Sequence, residues 1–125
     1  MLKLNKIHED SRGMVNTITG DLGNIPEISV FETFKTKARG GCIHEHSSEH
    51  ICVLVGEIYF VYGFDSQTRV LSAGESITIP QMTPHYFLSL VDSVVMEFGP
   101  QMEEKNKHYQ PFRQIVEEIN ENPIQ

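Results

Sequence analysis

Four of the six histidines in this chain fall in two short runs: His44, His46 and His50 within Arg39–Glu57, RGGCIHEHSSEHICVLVGE, and His85 within Gly74–Ser89, GESITIPQMTPHYFLS. Each run reads as extended chain, because Ile51–Val55 and Ile77–Ile79 are short, β-branched apolar segments closed by Gly or Pro. Side chains two apart on a strand share a face, so a strand here aims His44 and His46 at one point while Glu45 faces away. Glu49 or His50, competing for one place, and then His85 complete a set of nitrogen and oxygen donors of the kind divalent transition metals accept. An isolated His-x-His is ordinarily only a polar strand face. The downstream run changes that: Gly74, five residues, Pro80, three residues and Pro84-His85 follow a separate strand signal, with room for a hairpin between.

The rest of the chain supplies the elements that must position these groups. Met1–Ile7 alternates apolar and polar residues and predicts an edge strand; Asp10–Gly13 is turn chemistry leading into Met14–Ile18. After a loop at Asp21–Asn24, the β-branched and aromatic run Ile28–Phe34 predicts a strand, and Lys35–Arg39 a basic loop. Ile58–Tyr62 returns from Gly56-Glu57, Gly63–Thr68 reads as a hairpin loop before Arg69–Leu71, and Ser72–Gly74 turns the chain into the second run. His85–Val91 and Val94–Phe98 follow, with Gly99-Pro100 ending the sheet region. Nine or ten short strands at intervals of roughly ten residues predict an all-β, antiparallel sandwich or barrel over about residues 1–100. Only the tail differs. Phe112, Ile115, Val116 and Ile119 recur at helical spacing after Pro111, which predicts one amphipathic helix over 111–120 packed on the barrel.

At 125 residues the chain has room for one domain, 1–125, able to bury roughly two thirds of its surface. A formal charge of -7 argues against a nucleic-acid backbone as partner, which needs a basic surface, while one or two local arginines suffice for a phosphorylated small molecule. No apolar run approaches the roughly 20 residues that cross a bilayer, and MLKLNKIHED lacks the apolar core of a signal peptide, so a cytoplasmic protein without a membrane partner is expected. Cys42 and Cys52 are too few for a disulfide framework and are expected as free thiols. Exposed strand edges invite pairing, and a homodimer is expected.

The two runs resemble the paired motifs of the cupin superfamily of small β-barrels. Gly74, Pro80 and His85 keep the spacing of the second motif, with Met82 where the pattern has Gly and Ser89 where it has Asn. Glu49, six residues and Gly56 keep the end of the first, although only two residues separate His46 from Glu49. The order Asp10–Gly13, Ile25-Pro26, Arg39-Gly40 ahead of His-x-His, then Pro80-x3-Pro84-His85 is more narrowly similar to the sugar-nucleotide cupins. These are the dTDP-4-keto-6-deoxyglucose 3,4-ketoisomerases and, more distantly, the dTDP-4-dehydrorhamnose 3,5-epimerases. That resemblance implies a jelly-roll barrel and an isomerase of nucleotide sugars needing no metal. His44 and His46 would carry protons beside a carbonyl, Arg12 and Arg39 would hold the diphosphate, and Tyr59, Tyr62 and Tyr86 would line the pocket. The rival expectation is a metallo-cupin. Its His44, His46, His85 and either Glu49 or His50 would hold Fe, Mn, Ni or Zn, in a dioxygenase, a metal-assisted isomerase or lyase, or a non-catalytic ligand-binding barrel.

Overall fold

A computed structural model describes residues 1–99 and 107–121. Within them lie ten strands: β1 (Lys3–Asp10), β2 (Gly13–Thr19), β3 (Ile28–Thr33), β4 (Ala38–Cys42), β5 (Glu49–Val55), β6 (Glu57–Tyr62), β7 (Gln67–Ser72), β8 (Ser76–Ile79), β9 (His85–Ser89) and β10 (Ser93–Phe98). One helix, α1 (Gln110–Glu121), follows and contains the span expected from its apolar spacing. All strand pairings are antiparallel. They form a six-stranded sheet in the order β1-β2-β3-β10-β5-β8 and a four-stranded sheet in the order β4-β9-β6-β7, the two-sheet arrangement of a jelly roll. Pro100, expected to close the sheet region, lies outside the described residues.

Alternation decides what enters the core. Along β5, Glu49, Ile51 and Val53 are buried while His50 and Cys52 are not; along β6 the inward positions are Ile58 and Phe60. Ile51, Val53, Ile58 and Phe60 pack with Leu71, Ile79, Phe87 and Val95 from four further strands into one cluster. Each fully buried side chain of this size stabilises the fold by roughly 1.5–3 kcal/mol.

Two departures from expectation bear on the site. Ala38–Cys42, ARGGC, has no β-branched residue, and its first two residues were expected in a loop; pairing with β9 makes it a strand, so Arg39 projects from a sheet. The strand then stops. Residues 43–48 are irregular, and the His44-x-His46 pair therefore sits in the β4–β5 loop instead of on a strand. Gly40 and Gly41, at φ 107° and 84°, kink the backbone just before it, in a region that favours glycine. A Cβ on Gly41 would stand 2.8 Å from Cα of Arg113, so the same glycine lets α1 approach the sheet.

Candidate functional site

Three of the predicted donors meet at one end of the barrel. Glu49 opens β5 and faces inward; His85 opens β9 and faces it from the other sheet, its ring 6.1 Å from that of Phe60. His44 reaches the same point from the β4–β5 loop, which is tied to the β8–β9 loop by a hydrogen bond from the Met82 amide to the His44 carbonyl, 2.7 Å. All three residues are buried, Glu49 at 1% exposure and each histidine at 5%. Their ligand atoms lie within 4.8 Å of one another. Nε2 of His44 is 2.6 Å, and Nε2 of His85 3.3 Å, from the same oxygen, Oε2 of Glu49.

The proton count at this point is informative. Nδ1 of His85 lies 3.1 Å from the carbonyl of Thr83, which can only accept, so Nδ1 carries the hydrogen. Nε2 of the neutral ring then directs a lone pair at a carboxylate. Among the described residues, neither oxygen of Glu49 receives a well-directed hydrogen bond. Two acceptors facing each other in a buried site need a cation between them, either a proton on His85 or a metal ion. As a proton site the pair is self-consistent. Burial alone would lower the His85 pKa, but the Glu49 charge and contact, with the Thr83 carbonyl, raise it above its ordinary value. Burial likewise opposes ionisation of Glu49, yet the charge of His85 and the polar contacts of His44, His85 and Glu97 bring its pKa well below the usual carboxylate range. The same residues fit a divalent transition-metal ion: two imidazoles and one carboxylate, inward-facing and free of competing in-line bonds on the carboxylate.

This cluster forms one end of a cavity of about 350 Å³ lined from both sheets and from α1. Three guanidinium groups reach it. Arg39 is buried on β4, donating from Nε to Thr33 Oγ1 at 2.8 Å and from Nη2 to the Glu32 carbonyl at 2.7 Å, with Phe31 stacked 5.6 Å away; burial, reinforced by the Arg12 charge, lowers its pKa to about 10. Arg12, in the β1–β2 turn, is paired with Asp10, and Arg113, on α1, donates to the Gly40 carbonyl at 2.9 Å. Glu97, Cys42 and His108 are among the other polar residues that line it. Burial, with the charges of Glu97 and Glu49, pushes the Cys42 thiol up to about 12, so it stands as a neutral free thiol.

Several other predicted site residues lie elsewhere. His46, expected to point with His44, is 78% exposed and lies 3.7 Å from Glu45 Oε2, because a bend, not strand alternation, sets its direction. His50 faces the opposite side of β5 from Glu49, its ring 4.9 Å from that of Phe98 and its Nδ1 3.1 Å from Thr78 Oγ1; geometry thus puts Glu49, not His50, beside the two imidazoles. Tyr86 packs edge-on against Phe112 beneath α1, Tyr59 lies on the outer side of β6, and Tyr62 stacks on Phe60 in the core; none lines the cavity. Arg12 and Arg39 do line it. Sequence reading passed over Glu97, His108 and Arg113. Glu97 carried a usable signal, a lone charge inside the apolar strand Val94–Phe98.

Residues 31–98 match the sequence profile of the cupin domain family. No curated protein matches the sequence. Among solved structures, the capsular polysaccharide assembling protein CapF from Staphylococcus aureus superposes with a TM-score of 0.65 at 19% identity, over 82% of this chain and 29% of CapF. KdgF from Halomonas sp. superposes with a TM-score of 0.66 at 17% identity, over 79% of this chain and 88% of KdgF. Fe(II) HppE gives 0.58 at 17% identity, over 78% and 56%. At these identities the likeness is one of fold, and the chain spans less than a third of CapF.

Proposed function

The chain belongs to the cupin domain family, and on that footing we propose that it is an enzyme whose His44, Glu49 and His85 hold one divalent metal ion beside a pocket for an anionic sugar derivative. Its chemistry is proton transfer next to a carbonyl, an isomerisation or epimerisation. The observation that carries this reading is the convergence of the His85 lone pair, the His44 ring and the Glu49 carboxylate on one buried point that faces the cavity. When bound, the ion supplies Lewis acidity toward a substrate oxygen. Everything else falls to the chain. Arg12, Arg39 and Arg113 give the cavity a cationic wall suited to a carboxylate or phosphate, Arg39 being held rigid by its bonds to Thr33 and Glu32. Buried apolar walls from Val15, Ile51 and Phe87 exclude water from the reacting carbon. The sugar class is supported by the motif resemblance and by the neighbour named for capsular polysaccharide assembly. Enzyme action is supported by the cavity's mix of acids, bases and cations.

A metal-free isomerase is the second reading, favoured by the 2.6 Å approach of His44 to Glu49, which a proton suffices to hold. Metal analysis of protein purified without a nickel column separates the two. About one equivalent of Fe, Mn, Ni or Zn, lost in Glu49→Gln, is expected. Equal trace metal in both proteins overturns the metal assignment. Incubation with dTDP-4-keto-6-deoxyglucose in heavy water then tests the chemistry: deuterium at a carbon flanking the ketone is expected, and its absence from this and related 4-keto nucleotides overturns the isomerase reading.

A further inference from the structure

The cavity holds a second histidine–carboxylate arrangement, on the N-terminal strand and apart in sequence from the metal donors. β1 pairs with β2 from Lys3 to Lys6 and again from His8 to Asp10, but Ile7 has no partner residue, so the strand bulges there. A bulge breaks alternation and re-aims a side chain. In consequence two successive residues, Ile7 and His8, both line the cavity, which regular pleating would not allow. Nε2 of His8 lies 2.9 Å from Asp10 Oδ2. A carboxylate only accepts, so this contact places the ring hydrogen on Nε2 and leaves the lone pair of the neutral imidazole on Nδ1.

Asp10 is itself gripped. Nε of Arg12 donates to both of its oxygens at 3.2 and 3.0 Å, Nη2 to Oδ2 at 2.7 Å, and the Arg12 amide to Oδ1 at 2.8 Å. These bonds outweigh partial burial and hold the Asp10 carboxyl well below the usual carboxylate range, so it stays ionised. An ordinary surface ion pair needs no bulge, no cavity and no third residue locking the acid. A base, an orienting carboxylate and a group that fixes the carboxylate is the arrangement that activates an imidazole for proton transfer.

We propose that His8 is the catalytic base of this enzyme and that Asp10, locked by Arg12, is its positioning residue. The assignment rests on the proton-transfer reading above. Nδ1 of His8 takes the proton from the carbon beside the substrate carbonyl. The C–H pair becomes the C=C bond of an enolate, the carbonyl π pair moves to oxygen, and His8 becomes an imidazolium facing Asp10. Returning that proton to carbon, or exchanging it with solvent first, closes the cycle without net redox change. Glu27 ahead of β3, Glu97 on β10, Arg39 on β4, Arg113 on α1 and His108 line the same cavity.

The test is deuterium wash-in to dTDP-4-keto-6-deoxyglucose by metal-loaded protein, followed by proton NMR over a range of substrate concentrations. His8→Gln is expected to lower the rate by about 10²–10⁴-fold with unchanged metal content and thermal midpoint, since the side chain is 53% exposed. Asp10→Asn is expected to lower the turnover rate by about tenfold or more while KM, metal content and thermal midpoint stay unchanged, a split that a purely structural role would not produce. Wash-in by His8→Gln within about threefold of wild type overturns the assignment while leaving the proposed function standing, since a general base contributes far more than that. An inactive wild type overturns the proposed function, and the base with it.

Discussion

Met82 occupies a backbone conformation that L side chains seldom take, at φ 63°. It stands where the cupin pattern has glycine, and its amide ties the two loops that carry His44 and His85. The position has kept its left-handed turn while losing the residue that makes it inexpensive; the cost for an ordinary side chain is about 1 kcal/mol or more. Met82 is half exposed, so little apolar burial is at stake. Met82→Gly is therefore expected to stabilise the protein by about 0.5–1 kcal/mol in urea unfolding, and a β-branched residue to destabilise it by at least as much. A second residue-scale prediction follows from alternation along β5. Glu49 and His50 are adjacent, and only one can face the cavity. Glu49→Gln should weaken metal retention by more than about 100-fold, beyond the usual effect of an outer partner. His50→Ala should leave retention unchanged and cost the ring contact with Phe98, about 0.5–1.5 kcal/mol, together with the exposed hydrogen bond to Thr78.

At the scale of elements, β4 and α1 depend on one another. β4 is an edge of the four-stranded sheet, and Asn120 near the end of α1 clamps that edge: its Oδ1 accepts from the Ala38 amide at 2.8 Å and its Nδ2 donates to the Ala38 carbonyl at 2.9 Å. Phe112 and Val116, both buried, pack the helix onto the same strand. Asn120→Ala should cost about 1–3 kcal/mol and raise amide exchange along Ala38–Cys42 before the rest of the sheet. Asn120→Asp keeps the acceptor but turns a carboxylate oxygen on the Ala38 carbonyl, so a loss at least as large is expected. This dependence is also where sequence reading reached its limit. Strands such as Ile28–Thr33 and Ser93–Phe98 were legible because β-branched residues and bounding turns are local signals. ARGGC has none, and only its pairing with β9 and its clamp to α1 make it extended. Reading the whole run as extended put His44 and His46 on a strand, when β4 ends two residues before His44. His85 was legible because Pro80 and Pro84 fix its turn from within the sequence. Arg113 and His108 were not, since nothing local brings a segment more than sixty residues after Cys42 back beside it.

At the scale of the whole molecule, stability, pH and metal are one linked equilibrium. In the metal-free protein, Glu49 has a lowered pKa, so its contribution is present above the ordinary carboxylate value of 4.5 and is lost as pH falls through the lowered value. His85 has a raised pKa, and its sign is opposite: the contribution is full below the ordinary imidazole value of 6.5 and is lost as pH rises through the raised value. The site thus favours the metal-free fold most between these ordinary values, where the imidazolium faces the carboxylate. Once pH has risen through the raised His85 value, two acceptors are left facing each other. A metal ion takes the place of the proton, and its binding must strengthen as pH rises because the proton no longer competes. The stabilisation by metal is expected to be small near about pH 5 and to grow toward about pH 8, reaching about 2.7 kcal/mol at a free metal concentration a hundred times the dissociation constant. Thermal midpoints with and without EDTA across that range measure it directly. In Glu49→Gln both the metal effect and its pH dependence should vanish. A metal shift of the same size at every pH would place the ion on donors other than His85.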